Sequence, residues 1–369
     1  MRERAPISRA EISQETALQR STVSLIVDEL KHKGLVDEIE GQSTGGRPPI
    51  LLRLRTSVPI AVGVDVGTEL TVVATSDLAG RVLERAEFRT DPDRRQTLAE
   101  IVRCAQHFIS QHSEIEGIGM SLPGLVDPET GRAHFIPAFK WRDWDIVGEM
   151  EEAIGLPVTV DNDANAAALA ELWFGRPEIR EVRDFILVLM HGGLGTGIVF
   201  DGQVYHGEIG AAGEFGHMTI GTNGPVACAS GSRECWEAFA SERAAVARYD
   251  ALKQVSSGST EIAFAQILDE ALAGETIAVT TLNQTARYLG VGISNLIKGL
   301  SPEAVIVGGR ITSAWPLIAD ELKNSIEENS ICRGLTETRI FPSTLGAQPT
   351  LMGALSLVLA GKFASVQPA

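Results

Sequence analysis

The chain has 369 residues and a formal net charge of −16, which allows two or three domains and disfavours a protein that is basic throughout. It contains no apolar run near the roughly 20 residues that a membrane span needs, and its N-terminus lacks the apolar stretch of a secretory signal. Four cysteines are too few for a disulfide framework, so we expect a cytoplasmic protein with no membrane partner.

The charge is unevenly distributed along the chain. Residues 1–56 carry nine Lys/Arg and eight Asp/Glu, whereas the rest of the chain carries 23 and 40. An acidic surface keeps a protein soluble without identifying its partner. Any contact with DNA is therefore expected within the first 56 residues.

Two short helices are predicted at the start of the chain. Ser8 and Glu11 match the S-x-x-E pattern of a capping box, which predicts a helix over residues 9–17. A second helix is predicted over residues 20–33, where Gly34 is placed to end it. Its apolar residues recur with helical spacing and are expected to be buried: Val23, Ile26, Val27 and Leu30.

Two extended segments follow, at residues 35–40 and 50–54, and a turn-rich loop joins them at residues 41–49. Helix, turn, helix and a two-stranded wing is the order of a winged helix-turn-helix, which we assign to residues 1–56. Such a domain usually has a further helix before the one at Ser8, where this chain has only MRERAPI. The sequence leaves open whether the natural chain starts upstream of Met1 or the first helix is very short.

The face of the second helix opposite the apolar stripe is a candidate DNA-reading surface, although an ordinary solvated face has a similar composition. An arginine and short hydroxyls suit phosphate and base-edge contacts. In the loop, Arg47 lies within Gly45-Gly46-Arg47-Pro48-Pro49, a proline-stiffened arm that could enter a minor groove or form a plain hairpin turn. The predicted DNA-binding residues are Arg20, Ser21, Thr22, Ser24 and Arg47, with Leu25 on the same face.

From residue 57 onwards the pattern predicts an α/β domain in two similar halves, 57–180 and 181–369. Strands are predicted at 60–66, 70–76, 82–89, 117–121, 158–160, 185–190, 197–200 and 304–307. Helices are predicted at 97–112, 164–173, 235–253, 262–273, 277–300 and 351–360. The repetition predicts a duplicated domain with a cleft, a glycine-rich loop at 191–197, and a last helix that packs back on the first half.

Candidate binding residues cluster at a predicted strand-to-helix junction, Asp161-Asn162-Asp163. A carboxylate there can accept a proton from a hydroxyl group, and an asparagine can hydrogen-bond to sugar hydroxyls. Capping of the helix is the alternative role, which we favour for Asp161. Glu214, His217 and Glu237 are further residues of the types that bind sugars.

His217, Cys228 and Cys235 are candidate zinc ligands. A structural zinc ion takes four thiolate or imidazole ligands, and only three are evident here, with Ser230 two residues after Cys228. The spacing leaves open both a zinc site and two unlinked cysteines near a histidine.

Taken together, these residues resemble the ROK family, named for repressors, open reading frames and kinases. The resemblance covers nearly the whole chain and rests on motifs in the family's order: GRPP (46–49), SLPGLVD (121–127), DNDANAAALAE (161–171), GEFGH (213–217), the Cys-x-Ser-Gly-x-x-x-Cys-x-Glu stretch (228–237) and IVGGR (306–310). It implies a duplicated, actin-like and hexokinase-like two-lobed ATPase domain behind the winged helix.

The resemblance also implies roles for individual residues. Asp163 matches the general base of the family's kinases, which deprotonates the sugar hydroxyl that attacks ATP. His217, Cys228 and Cys235 match the zinc ligands. The sugar contacts match Gly124, Asn162, Asp163, Glu214, His217 and Glu237.

Four positions depart from the family's kinases. The first phosphate loop, Asp65-Val66-Gly67-Thr68-Glu69, lacks its second glycine and carries a carboxylate that would repel ATP, and Gly192 replaces a threonine of the second loop. Both changes argue against kinase activity and ATP. Ser230 replaces the middle zinc cysteine, which puts Zn²⁺ in question. Residues 137–139 are Pro-Ala-Phe where members often have Pro-Asn-Leu, so the sugar is left open.

The sequence therefore predicts a sugar-responsive transcriptional regulator, more specifically a repressor, that binds operator DNA as a homodimer or a dimer of dimers. An ATP-dependent sugar kinase with Asp163 as its base is the alternative. A sugar-binding protein without DNA binding is a third. The identity and phosphorylation of the sugar, the operator and the regulated genes are left open.

Overall fold

A computed structural model of the chain describes residues 5–41, 48–56, 58–179, 181–253, 263–329 and 338–364. Residues 5–56, as far as they are described, form an N-terminal module. Residues 58–179 form lobe 1, and the described residues from 181 onwards form lobe 2. Within these ranges no helix combines the length and the apolar character that crossing a membrane requires.

The N-terminal module has the two predicted helices and a small antiparallel sheet of three strands in the order β1-β3-β2; the first strand precedes the helices and was not predicted. The Ser8 hydroxyl accepts a hydrogen bond from the Glu11 amide at 3.2 Å, and the Glu11 carboxylate accepts one from the Ser8 amide at 2.8 Å, so the capping box is present. Val23 and Val27 form the buried face of the second helix. The elements are β1 Ile7–Ser8, α1 Arg9–Thr16, α2 Arg20–His32, β2 Val36–Glu40 and β3 Ile50–Leu54.

Lobe 1 is built on a five-stranded sheet in the order β11-β7-β4-β5-β6, beside a small antiparallel sheet, β10-β9-β8, that the sequence did not predict. Its elements are β4 Ala61–Val66, β5 Leu70–Ser76, β6 Val82–Arg89, α3 Arg94–Gln111, β7 Gly117–Leu122, β8 Leu125–Asp127, β9 Arg132–Ile136, β10 Trp141–Trp144, α4 Ile146–Ile154, β11 Val158–Asn162 and α5 Asp163–Phe174.

Lobe 2 is built on a second five-stranded sheet in the order β14-β13-β12-β15-β16. Its elements are β12 Phe185–Met190, β13 Leu194–Phe200, β14 Gln203–Val204, α6 Trp236–Ala240, α7 Glu242–Lys253, α8 Phe264–Leu272, α9 Thr276–Leu300, β15 Ala304–Gly308, α10 Trp315–Asn329, β16 Arg339–Pro342 and α11 Pro349–Ala364.

The two large sheets have the same topology, which confirms the predicted duplication. In each, the first strand pairs antiparallel with the second and parallel with the fourth, while the third and fifth strands lie at the edges. Each lobe has its own apolar core. Because parallel strands end at the same edge of a sheet, the ends of β4, β7 and β11 lie together in lobe 1. Asp161 and Asp163 at this edge interact with His206 and Glu214 of lobe 2, and the space between the lobes there is called the cleft.

The last helix, α11, follows the final strand of lobe 2 but packs on the sheet of lobe 1. Close approach depends on glycine: a Cβ on Gly119 of β7 would lie 1.9 Å from the Ala354 carbonyl oxygen. A Cβ on Gly353 would lie 2.4 Å from the carbonyl carbon of Ala166 in α5. The helix therefore fastens the start of α5, where the candidate binding residues lie, to the sheet of lobe 1.

Two predictions about lobe 2 were wrong. The glycine-rich stretch at 191–197 is not one loop, because β13 already begins at Leu194. Its glycines serve packing: a Cβ on Gly195 would lie 2.9 Å from Ala164 Cβ, and one on Gly197 would lie 2.4 Å from the Ala164 carbonyl oxygen. The predicted helix at 235–253 is divided, because Ser241 ends α6 in an extended conformation and its hydroxyl accepts from the Ala244 amide at 3.2 Å.

Candidate functional site

The junction between β11 and α5 organises the lobe 1 side of the cleft. Asn162 is the N-cap of α5, since its side-chain oxygen accepts from the amides of Ala164 and Asn165 at 2.9 and 3.3 Å. The capping role predicted for Asp161 thus belongs to Asn162. Asp161 is 3% exposed, and its Oδ1 accepts from the Asn162 amide at 2.7 Å.

Gly124 is joined directly to this junction. Its carbonyl oxygen accepts a hydrogen bond from Asn162 Nδ2 at 2.9 Å. Its φ of +91° is one that glycine adopts readily, and a Cβ would lie 2.4 Å from the Phe135 carbonyl oxygen. The structure thus brings two of the predicted sugar-binding residues together and explains why one of them is a glycine.

Two aspartates share the floor of the cleft. Burial, and to a smaller extent the nearby charges of Asp65 and Glu214, raise the pKa of Asp163 to about 7, although the Ala164 amide donates to its Oδ1 at 2.8 Å. Burial also raises the pKa of Asp65 to about 6, although the Thr350 hydroxyl donates to its Oδ2 at 2.7 Å. A carboxyl group that titrates near pH 7 can exchange a proton with a bound hydroxyl group.

Glu214 and His217 face the cleft from lobe 2, on a short 3-10 helix, Glu214–His217. His217 Nε2 lies 3.7 Å from Glu214 Oε2. Burial raises the pKa of Glu214. The turn lies directly on β13, because Cβ atoms on Gly213 and Gly216 would come within 2.3 and 2.0 Å of carbonyl oxygens of that strand. The predicted Gly-Glu-x-Gly-His pattern therefore reflects packing as well as side-chain chemistry.

Glu237 is the predicted sugar-binding residue that the protein itself engages most. It is 6% exposed, and its Oε1 accepts from the Ala229 amide at 3.1 Å and from Arg243 Nη2 at 2.9 Å. Its Oε2 accepts from the Leu194 amide at 3.3 Å. Glu237 therefore connects β13 with the loop that carries Cys228.

The three candidate metal ligands come together. One ligand atom from each of His217, Cys228 and Cys235 lies within 4.8 Å of the others. The two sulfur atoms are 3.0 Å apart, well beyond the ~2.05 Å of a disulfide bond, and Ser230 Oγ is 3.0 Å from Cys228 Sγ. Burial alone would raise the pKa of Cys228, but hydrogen bonds with Ser230 and Cys235 lower it to about 7.

Carboxylates occupy the side of the cleft where the first phosphate loop was predicted. Gly67 and Leu70 close a tight turn through a 3.0 Å backbone hydrogen bond, and Glu69 within that turn is exposed. Across from it, burial raises the pKa of Glu242 to about 7; Arg310 at 3.4 Å lowers it and Glu69 raises it. Glu69 thus adds negative charge at this edge of the cleft, whereas Arg310 offsets the charge of Glu242.

His206 is a residue of the cleft that sequence reasoning did not identify. It follows β14 in lobe 2, and its Nε2 lies 2.8 Å from Oδ2 of Asp161 in lobe 1. The two residues are 45 positions apart, and no local pattern signals their contact. Asp65 was noted only as part of a phosphate loop, although its place at the end of β4 marks it as a cleft residue.

The candidate DNA-reading face lies on α2, on residues other than the buried Val23 and Val27. Arg20, Ser21 and Thr22 are exposed, Ser24 is half-buried, and Leu25 is 73% exposed. Arg47, the remaining predicted DNA-binding residue, lies outside the described residues.

Known proteins resemble this chain along most of its length. A ROK family profile matches residues 61–360. The xylose repressor of Bacillus subtilis (strain 168) is 32% identical over 361 residues, which cover 96% of this chain and 91% of that repressor.

Solved structures resemble it as well. A ROK family transcriptional regulator, a homolog of the E. coli MLC protein, has a TM-score of 0.80 at 28% identity and covers 99% of this chain and 94% of its own. A ROK family glucokinase from Streptomyces griseus, solved with glucose and AMPPNP, has a TM-score of 0.73 at 30% identity and covers 81% of this chain and 98% of its own. With its duplicated fold and these full-length matches, the chain belongs to the ROK family.

Proposed function

We propose that this protein is a sugar-responsive transcriptional repressor that binds operator DNA through its N-terminal module and a sugar in the cleft between its lobes. The observation that carries the proposal is that the cleft keeps its candidate sugar-binding residues but has acidic residues at the candidate phosphate site. The polar residues on the sugar side of the cleft are present and lie together, whereas the phosphate side holds Glu69 and Glu242. The relatives that cover nearly the whole chain are a xylose repressor and a transcriptional regulator.

The sugar would lie between the β11–α5 junction and the 3-10 helix of lobe 2. Asp163, Glu214 and His217 each have polar atoms there to donate to or accept from hydroxyl groups. The accessible amide of Asn162 is already bonded to Gly124, so these two residues would fix the shape of the site. Glu237 would act indirectly, because its hydrogen bond with the Leu194 amide holds the start of β13 in place.

DNA would be bound by a homodimer, with α2 of each subunit in the major groove of one half-site. Arg20 at the start of the helix would contact a phosphate, and Ser21 and Thr22 would reach base edges. Leu25, exposed on the same face, suits the methyl group of a thymine. Arg47 is proposed to add a contact from the wing.

The cysteine cluster fits a structural zinc ion. His217 Nδ1 is buried and has no hydrogen-bond partner among the described residues, while Nε2 of the same ring faces Glu214. Nδ1 would thus hold the metal with Cys228 and Cys235, and Nε2 would remain for the sugar. Ser230 or a water molecule would complete four ligands. Zinc would fix the 3-10 helix that carries His217 against the start of α6, which carries Glu237.

Kinase activity is the second candidate function, because Asp163 retains the place and the pKa of a general base. The likeness to a glucokinase structure supports it. The negative charge that Glu69 adds at the phosphate side opposes it. Sustained release of ADP in the presence of a hexose, abolished by Asp163→Asn, would establish the kinase and replace the proposal of a non-enzymatic regulator.

DNA binding is tested by selecting duplexes from a random library on the full-length protein and then measuring their affinity by fluorescence anisotropy at fixed salt. We expect Arg20→Ala and Thr22→Ala each to weaken binding by about tenfold or more, because each removes a phosphate or base contact. Arg103→Ala, at an exposed arginine on α3, is the control. Selection of no duplex by the full chain would refute the proposal.

The response to sugar is tested in the same assay. D-xylose, D-glucose, N-acetyl-D-glucosamine and their phosphates are added to the complex with the selected duplex. One of them is expected to lower the affinity for DNA, which requires that it bind the DNA-free arrangement more tightly. Thermal-shift measurements with the same panel detect binding independently of DNA. Binding of a sugar without any change in DNA affinity would contradict the proposed response.

A further inference from the structure

A loop of lobe 2, residues 205–213, crosses to lobe 1 immediately before the residues proposed to bind sugar. At its start, His206 Nε2 lies 2.8 Å from Asp161 Oδ2. In its middle, a Cβ on Gly210 would lie 1.9 Å from the Val126 carbonyl oxygen of β8, so the loop backbone lies directly on lobe 1. At its end, the Thr196 hydroxyl of β13 donates to the Gly213 carbonyl oxygen, which returns the loop to lobe 2.

Asp161 connects the histidine to the sugar side of lobe 1. While Oδ2 faces His206, Oδ1 accepts from the Asn162 amide at 2.7 Å and from Asn165 Nδ2 at 3.4 Å. Asn162 in turn caps α5 and bonds to Gly124. One buried carboxylate therefore fixes the N-terminus of α5 on one side and the interlobe loop on the other.

The contact is of a kind that favours a charged histidine. The hydrogen bond with Asp161 raises the pKa of His206, burial opposes this, and Asp127 and Glu129 of the neighbouring hairpin raise it further. His134 lies 3.9 Å from Asp127 and is the other imidazole in this group. With the imidazole charged, the hydrogen bond is charge-assisted and stronger than a neutral one.

We propose that His206 is a positioning residue for the sugar site: its ion pair with Asp161 holds the loop that leads to Glu214 and His217 against the junction of β11 and α5, which carries Asn162 and Asp163. The sugar would need both half-sites at a fixed separation, which this pair sets. The inference rests on the proposed binding of sugar in the cleft, since it assigns a further residue to that same site.

The affinity should follow the charge on His206. Because the histidine's pKa is raised by its partner, the pair is present below that pKa and is lost as the pH rises through it. Asp163 titrates in the same range, so the pH profile of the wild type alone does not separate the two groups. His206→Arg separates them, because arginine keeps its charge at every pH used and can pair with a carboxylate.

The test measures the dissociation constant of the sugar identified by thermal shift, between pH 6 and pH 9, for full-length variants. We expect His206→Ala to bind about tenfold more weakly than the wild type at pH 6.5, from the loss of a charge-assisted hydrogen bond. His206→Arg should retain affinity and lose less of it at pH 9 than the wild type. His107→Gln, at an exposed histidine on α3, is the control.

A readout without sugar keeps the inference separate from the proposed function. Amide hydrogen exchange of residues 205–217 at pH 7 should be at least several-fold faster in His206→Ala than in His107→Gln, because the loop loses its anchor. If no sugar binds the wild type while exchange accelerates, the sugar site is wrong and the positioning contact stands. Unchanged exchange, or His206→Ala binding sugar as the wild type does, would overturn the inference.

Discussion

Replacing Asp163 by asparagine should stabilise the protein at pH 8 while it weakens sugar binding. The side chain lies in a recess next to Asp65 and Glu214, and its pKa rises from 3.8 to about 7. Asparagine has almost the same shape, and its side-chain oxygen can still accept from the Ala164 amide. The substitution therefore removes a charge and leaves the local hydrogen bond in place.

The sign of the effect follows from proton linkage. A carboxyl group whose pKa is raised by folding keeps its proton in the folded chain after the unfolded chain has lost it, so stability falls between about pH 4 and pH 7 and stays low above that range. The full rise in pKa corresponds to about 4 kcal/mol. Since solvent reaches part of the side chain and the site can relax, we expect about half of this, ~2 kcal/mol, at pH 8 and almost none at pH 4.

Thermal unfolding at the two pH values measures this difference. For a chain of this size, ~2 kcal/mol raises the melting temperature by about 2–3 °C. Asp269→Asn, at an exposed aspartate on α8, is the control and should leave the melting temperature unchanged at both pH values. If Asp163→Asn melts at the wild-type temperature at pH 8, or is stabilised equally at pH 4, Asp163 is not held in a charge-disfavouring site and the electrostatic reasoning fails.

Three further predictions concern the residues that frame the sites. Gly124→Ala should lower the free energy of unfolding by about 2 kcal/mol or more in chemical denaturation. The control, Gly155→Ala, should lower it by about 1 kcal/mol, because its Cβ would meet nothing within 4 Å. Equal losses would contradict the role of the Phe135 contact. Ser8→Ala should cost about 1 kcal/mol in the unfolding of the N-terminal module, and no change would show that the capping box contributes nothing. Purified protein should contain about one zinc ion per chain by elemental analysis, and Cys235→Ser, but not the Cys104→Ser control, should lose it; a metal-free wild type would refute the zinc site.

Sequence reasoning succeeded where the signal is local. The capping box at Ser8 located the start of α1, and the apolar spacing through Val23 and Val27 located α2 and its buried face. The strands at the centre of each sheet are continuous apolar runs, so their positions follow from burial alone. Most of the predicted sugar-binding residues followed from residue type and position, Gly124 came from the resemblance to a family, and the structure places Asp163 near Glu214 across the cleft.

Sequence reasoning failed where the role of a residue depends on contacts with residues that are distant in the sequence. Gly195 and Gly197 resemble part of a phosphate-binding loop. They are glycines because α5 packs so closely against β13 that a Cβ at either position would clash with Ala164. The division at Ser241 had a local signal, a serine that caps the following helix, which the apolar run through Trp236 concealed. The pair of His206 with Asp161 joins two lobes, and only the folded chain brings them together.

The path by which sugar could affect DNA binding is physically continuous in this fold. Helix α5 begins at the sugar side of the cleft and packs on α11 through Gly353. Leu355 of α11 belongs to one apolar cluster that extends through lobe 1 to Val27 and Leu52 in the N-terminal module. A tenfold effect of sugar on DNA affinity requires the two arrangements to differ by only about 1.4 kcal/mol in sugar binding. One or two contacts across the cleft, such as those of Glu214 and His217 with hydroxyl groups, are of that size. The coupling therefore requires only a small difference in sugar-binding free energy, which arises if the two lobes are closed on the sugar in one arrangement and not in the other.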